Sequence, residues 1–198
     1  MKKTLFIPLL LLVISSCGSM YKMNLSLLSV DMKSDKNSCK TTSIRDTVID
    51  NVLFWAYNDS IADIKWYQGK TRFVLLLENL TKKTMKINWD EITYVNPLGR
   101  AERLWHAYGR YIESDKEQVP TIIPSEKSIL EPIIPVDNIY FNNGWKEQYL
   151  LVYRTEDQKQ LNNFFEKPVQ IYLPIYVGEE KVEYIFNFTI SEITPFHF

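Results

Sequence analysis

The chain has two cysteines and two histidines in 198 residues, and that scarcity removes whole classes of chemistry. Cys17 and Cys39 cannot supply the multiple bridges that staple small secreted domains. His106 and His197 have no second His or Cys at ligand spacing, so no zinc site is expected. A Gly-x-Ser-x-Gly elbow, a phosphate loop and a dinucleotide fingerprint are all missing. Excess charge of either sign is missing too. Twenty-three basic and 24 acidic side chains leave a formal charge of −1, without the basic face that a nucleic-acid partner requires. The longest apolar run, Leu5 to Ile14, is about half of the roughly twenty residues that cross a bilayer. These absences set the expectation of a non-enzymatic protein with no cofactor, no metal and no nucleic-acid partner.

What is there begins with Lys2-Lys3, the apolar run, and then Ile14-Ser15-Ser16-Cys17-Gly18. A basic tip, a short apolar core and small residues before a cleavage point describe a bacterial secretory signal. The cysteine at that point makes the stretch resemble the lipobox of bacterial lipoproteins. The resemblance implies cleavage after residue 16, diacylation of the Cys17 sulfur (with palmitate-type chains) and acylation of its new amine. Each buried CH2 contributes about 0.8 kcal/mol, so two or three chains anchor firmly without a transmembrane helix. Loss of residues 1–16 removes Lys2 and Lys3 and no acid, which moves the formal charge to −3. Surface-exported lipoproteins of the AT-rich genomes suggested by the Lys-over-Arg excess carry acids after the lipidated cysteine. Gly18 to Lys22 has none, so the expected address is the outer membrane, facing the periplasm. Cys39 is then the one remaining thiol. It is read as unpaired, with an intermolecular disulfide as the alternative.

Residues 17–43 are rich in Ser, Lys, Asn, Met and Thr, and read as a lipidated N-terminus and flexible tether. Leu25, Leu27, Leu28 and Val30 leave a first strand open as an alternative. Residues 44–198 read as one domain, a size that buries a sizeable core. Apolar alternation places strands around Val52–Tyr57, Ile64–Trp66, Thr71–Asn79, Met85–Trp89, Arg103–Tyr111, Val169–Tyr176 and Lys181–Ile190. Pro120, Pro124, Pro132 and Pro135 point to edge strands and crossing loops in between, since proline removes a ladder donor. Thr155-Glu156-Asp157-Gln158 fits a capping box before Leu161, Phe164 and Phe165, which predicts one short helix ending at Lys167-Pro168. Many short strands with one minor helix describe an all-β fold. An antiparallel immunoglobulin-like β-sandwich, built without an inter-sheet disulfide, is the expected architecture.

Candidate chemistry is sparse. Asp59 and Asp63 flank Ser60-Ile61-Ala62, but a calcium loop needs more oxygen donors, so a solvated turn is expected. Asp90 and Glu91 are neighbours, poorly placed as an acid/base pair on a strand because adjacent side chains point to opposite faces. The aromatic residues give the remaining lead. Trp66, Trp105, Tyr108 and Trp145, with Tyr67 and Tyr111, are candidates for a platform on which sugar rings or a protein partner stack. The alternative is that they fill the core, as Trp and Tyr commonly do in all-β domains.

Five pieces carry a second resemblance: Phe73-Val-Leu-Leu-Leu-Glu-Asn79-Leu-Thr81, Ile87-Asn-Trp89-Asp90-Glu, Tyr94-Val-Asn-Pro-Leu-Gly99, Pro120-Thr-Ile-Ile-Pro124 and Pro135-Val-Asp137-Asn138. In that order they resemble an uncharacterised group of small bacterial envelope lipoproteins. The resemblance covers residues 60–140 and implies no catalytic residues. Three functional expectations follow. The first is a lipid-anchored β-sandwich that binds or scaffolds an envelope component. The second is a carbohydrate-binding or glycan-acting protein using the aromatic cluster. The third is a subunit of an envelope secretion or adhesion assembly, reached through a free strand edge.

Overall fold

Period-two alternation builds this fold almost throughout. In the computed structural model, which describes residues 19–34, 38–41, 44–106, 109–165 and 167–197, the chain is antiparallel β with one short α-helix. The first strands are β1 (Ser19–Ser34), β2 (Ser38–Thr41), β3 (Arg45–Ile49), β4 (Val52–Asn58), β5 (Ala62–Gln68) and β6 (Phe73–Asn79). Next come β7 (Met85–Ile87), β8 (Thr93–Val95), β9 (Ala101–His106), β10 (Thr121–Ile123) and β11 (Ser128–Pro135). The chain closes with β12 (Ile139–Phe141), β13 (Trp145–Glu147), β14 (Val152–Thr155), α1 (Gln158–Phe164), β15 (Val169–Val177) and β16 (Glu180–Pro195).

The main sheet runs β14-β1-β16-β15-β8-β9-β11-β6-β5-β4-β3, and it curls into a half-barrel. β5 and β6 show why: both alternate strictly between buried and half-buried residues, so each has one core face. The curl brings β16 across the core from β4 and β5, which lie far from it along the sheet. Trp55 packs edge-on against Phe188 at 5.2 Å, Trp66 against Phe186 at 5.6 Å, and Tyr57 against Tyr184 at 5.9 Å. Such pairs add about 0.5–1.5 kcal/mol each beyond area burial. β9 makes the corner. Its first half pairs with β8 and its second half with β11.

Three expectations are corrected. The stretch expected as a tether contains β1, a 16-residue strand paired with β16 along nearly its whole length. Its Met23, Leu25 and Val30 enter the core, and bulges at Asn24/Leu25 and Leu27/Ser29 reset the register. The polar composition that read as flexible belongs mostly to residues outside that core.

The proline-rich stretch also departs from expectation, because β11 is a central strand between β6 and β9. The two partners are staggered: Pro132 pairs only with Val74 of β6, and Pro135 only with Leu104 of β9. Neither ring therefore has to serve two ladders. The helix starts later than the capping box indicated. Asp157 is its N-cap and accepts from the Lys159 N–H at 2.8 Å, while Thr155 Oγ1 accepts from the Asp157 N–H.

Candidate functional site

β12 and β13 form a two-stranded hairpin outside the main sheet, with Phe141 opposite Trp145 and Tyr140 opposite Lys146. Asn143 and Gly144 at its tip both take positive φ, which the tight Asn142–Gly144 turn requires. A lone hairpin is marginal in water, and this one is held by its base. The Gln148 N–H donates to the Asn138 carbonyl at 2.7 Å. Glu147 accepts from Arg72 Nε at 2.9 Å, and also from Thr71, Tyr111 and the Arg72 terminal nitrogen. Burial alone would raise the Glu147 carboxyl, but these hydrogen bonds and the Arg72 charge outweigh it and hold the group at about 2. The same contact raises Arg72, and burial together with Glu147 pushes the Tyr111 phenol up to about 12.

The clamp leaves a large aromatic surface in solvent. Phe141 is 69% exposed and Trp145 44% exposed, with Tyr140 on the opposite face of the hairpin. The Phe141 and Trp145 rings meet edge-on at 5.5 Å, and Tyr111 touches Trp145 at 6.3 Å.

The platform residues expected from the sequence separate here into distinct places. Trp66 (0% exposed) and Trp105 (3%) are buried and offer no face for stacking. Trp66 sits on the inward-pointing positions of β5, and Trp105 lies on central strand β9, with Gly109 close against its ring. Trp145 alone of the candidate tryptophans is at the surface. Cys17 and Tyr108 lie outside the described residues. Phe141, Tyr140, Arg72 and Glu147 were not singled out from sequence. Phe141 and Trp145 flank Asn142-Asn143-Gly144, a turn signal between two aromatics, and that signal was available.

A second polar feature lies inside the protein. His106 on β9 and Glu131 on β11 approach to 3.9 Å, with Nδ1 of the one and Oε2 of the other buried and unpartnered. Trp89 stacks on the His106 ring at 5.2 Å. Burial raises the Glu131 carboxyl to about 7 and lowers the His106 imidazole. Around them, Gln118 Oε1 accepts from the His106 backbone N–H, and Asp90 accepts from the Gln118 N–H and from Arg103. Burial opposes ionisation of Asp90, yet its bonds to Gln118 and Arg103 leave its pKa lowered.

Among the described residues no group of three or more His, Cys, Asp or Glu side chains is placed to hold a metal ion. No described helix is long and apolar enough to cross a membrane. No protein-family model matches the chain, and no curated protein or solved structure matches it either.

Proposed function

We propose that this chain is a lipid-anchored protein of the bacterial cell envelope, held at the outer membrane on the periplasmic side, whose β-domain works by binding or scaffolding another envelope component. The observation that carries the anchor is the order Lys2-Lys3, Leu5 to Ile14, then Ile14-Ser15-Ser16-Cys17. The clamped hairpin supports binding over glycan cleavage. A glycosidase acid needs a raised pKa to protonate the leaving oxygen. Glu147, the carboxylate on the same strand as the exposed Trp145, is instead held ionised with its oxygens already engaged. The curled sheet is read as a variant of the immunoglobulin-like sandwich; in support, β16 faces β4 and β5 across one core, and β9 passes between the two layers.

Mass spectrometry of the protein purified from membranes tests the anchor. An acylated Cys17 N-terminus is expected, and Cys17→Ser releases the chain from the membrane fraction. An intact leader, or an unmodified thiol at Cys17, overturns the proposal.

One observation favours a subunit role in a larger assembly as a second reading. β3 ends the sheet and, among the described residues, pairs only with β4. Val48 and Leu53 face solvent side by side there. An open strand edge beside an apolar pair suits addition of a partner strand. Cross-linking in intact cells from cysteines placed on β3 is expected to capture a heteromer; recovery of monomer alone removes this reading.

A further inference from the structure

The aromatic hairpin and the start of β1 lie at the same end of the sheet. Gln68, the last residue of β5, donates to the Met23 carbonyl and accepts from the Leu25 N–H of β1. The Leu150 N–H donates to Lys70 in the adjoining turn, and the Met23 N–H donates to Leu151. Arg72 of that turn grips Glu147 of the hairpin. Tyr149, just beyond the hairpin, packs at 4.8 Å on Phe196, whose N–H donates to Met20. The hairpin is thus tied to the first residues of β1 through the turn after β5 and the segment that follows β13.

We propose that this hairpin is a second membrane contact, with the rings of Tyr140, Phe141 and Trp145 seated in the interfacial zone of the bilayer that holds the lipid on Cys17. The inference rests on the anchor reading and names what its aromatic surface meets. Ser19 is already in the sheet, and it stands two residues after Cys17. Two residues reach at most about 7 Å. The domain therefore has no slack with which to stand away from the lipid, and the end carrying Ser19 faces the bilayer.

The chemistry of the hairpin fits that place. Trp and Tyr prefer the headgroup level, where one part of the ring is wet and the other apolar. Lys146, cross-strand from Tyr140, has a stem long enough to reach lipid phosphates from that position. Exposed aromatic side chains on a clamped hairpin have no core of their own to enter, which marks them as an interaction surface. The opposite end of the sheet differs in kind. Its turns present Lys82, Glu126 and Lys127, with Lys82 paired to Glu126.

The tryptophans allow a clean test. Trp55, Trp66, Trp89 and Trp105 are buried, which leaves Trp145 as the one at the surface. The full-length native lipoprotein is reconstituted into vesicles of phosphatidylethanolamine and phosphatidylglycerol whose acyl chains are brominated near the headgroup. Bromine quenches an indole only in contact. The expected result is loss of the emission component that Trp145→Phe removes, with the buried tryptophans unchanged as the control for folding. The pair Tyr140→Ser and Phe141→Ser is expected to reduce that quenching while the protein still sediments with the vesicles. A protein that sediments but keeps full Trp145 emission overturns this inference and leaves the anchor standing. A protein that carries no acyl mass and does not sediment overturns both. A Trp145 response to soluble peptidoglycan fragments, without one to brominated lipid, makes the hairpin a sugar site and overturns the inference as well.

Discussion

A buried side-chain amide ties each end of the sheet, Gln68 at one and Asn79 at the other, and the two ends differ in what surrounds it. At the end where β1 starts, Gln68 stands in for a missing strand. Its oxygen accepts from the Leu25 N–H at 2.9 Å, and its nitrogen donates to the Met23 carbonyl at 2.8 Å. At the far end, Asn79 closes the turns after β6 and β10. Its nitrogen donates to the carbonyls of Lys83, Ile123 and Pro124, and its oxygen accepts from the Thr81 N–H and hydroxyl. The far end then finishes with charged turns in water, and the near end with an aromatic hairpin. Closing a sheet end needs only a satisfied amide. Exposed rings answer no structural need, and this asymmetry is what the proposed membrane contact rests on.

Replacement of the two amides should break this symmetry by unequal amounts. Asn79→Ala removes the five hydrogen bonds of a fully buried amide, and is expected to cost about 3–4 kcal/mol in urea unfolding. Gln68→Ala strands two and is expected to cost about 2–3 kcal/mol. A larger loss at Gln68 would mean that holding β1 matters more than the number of groups satisfied.

The buried His106–Glu131 pair adds a pH dependence that belongs to neither end. The folded carboxyl titrates at about 7 against 4.5 in the unfolded chain, so the folded state binds more protons between those values. Stability then falls as pH rises through that window, by up to about 3 kcal/mol from this group. His106, whose pKa burial lowers from 6.5, acts in the opposite direction below pH 6.5 and narrows the effect. Glu131→Gln is expected to flatten the curve of unfolding free energy against pH; an unchanged slope would remove Glu131 as its source.

Smaller effects sharpen the contrast. Glu147→Gln should loosen the hairpin at a cost of about 1–2 kcal/mol. Amide exchange should speed up across residues 139–147 and stay unchanged in β5 and β6; faster exchange throughout would show the hairpin to be part of the global fold. Lys82→Ala at the far end removes an exposed ion pair and should change stability by less than about 0.5 kcal/mol. A shift above 1 kcal/mol there would mean that the charged turns hold the sheet together.

Much of the strand content was legible because alternation is a local signal. β5, β6, β15 and β16 fall where Ile64–Trp66, Thr71–Asn79, Val169–Tyr176 and Lys181–Ile190 placed them. β1 was harder, because its Ser, Lys and Asn residues have the composition of a linker and its partner lies some 150 residues later in the chain. β11 was obscured by its prolines, whose tolerance depends on two neighbours being offset by a few residues. The exposed aromatic face was only partly legible. Trp66, Trp105 and Trp145 are the same residue type in similar polar company; the turn Asn142-Asn143-Gly144 beside Trp145 is a local difference, but it marks a hairpin and not whether its rings meet a core or solvent.

The sequence by itself determined that the chain is all-β, that one short helix follows Thr155, and that a basic tip and a short apolar run precede Cys17, since periodicity, capping and composition are properties of neighbouring residues. Tertiary structure alone decided that the sheet curls, that Gln68 and Asn79 close its ends, that His106 meets Glu131, and that Phe141 and Trp145 stand in solvent beside the first strand. Those outcomes depend on pairings between residues tens to more than a hundred positions apart, where the free energy of contact is set by register and curl and leaves no trace in local composition.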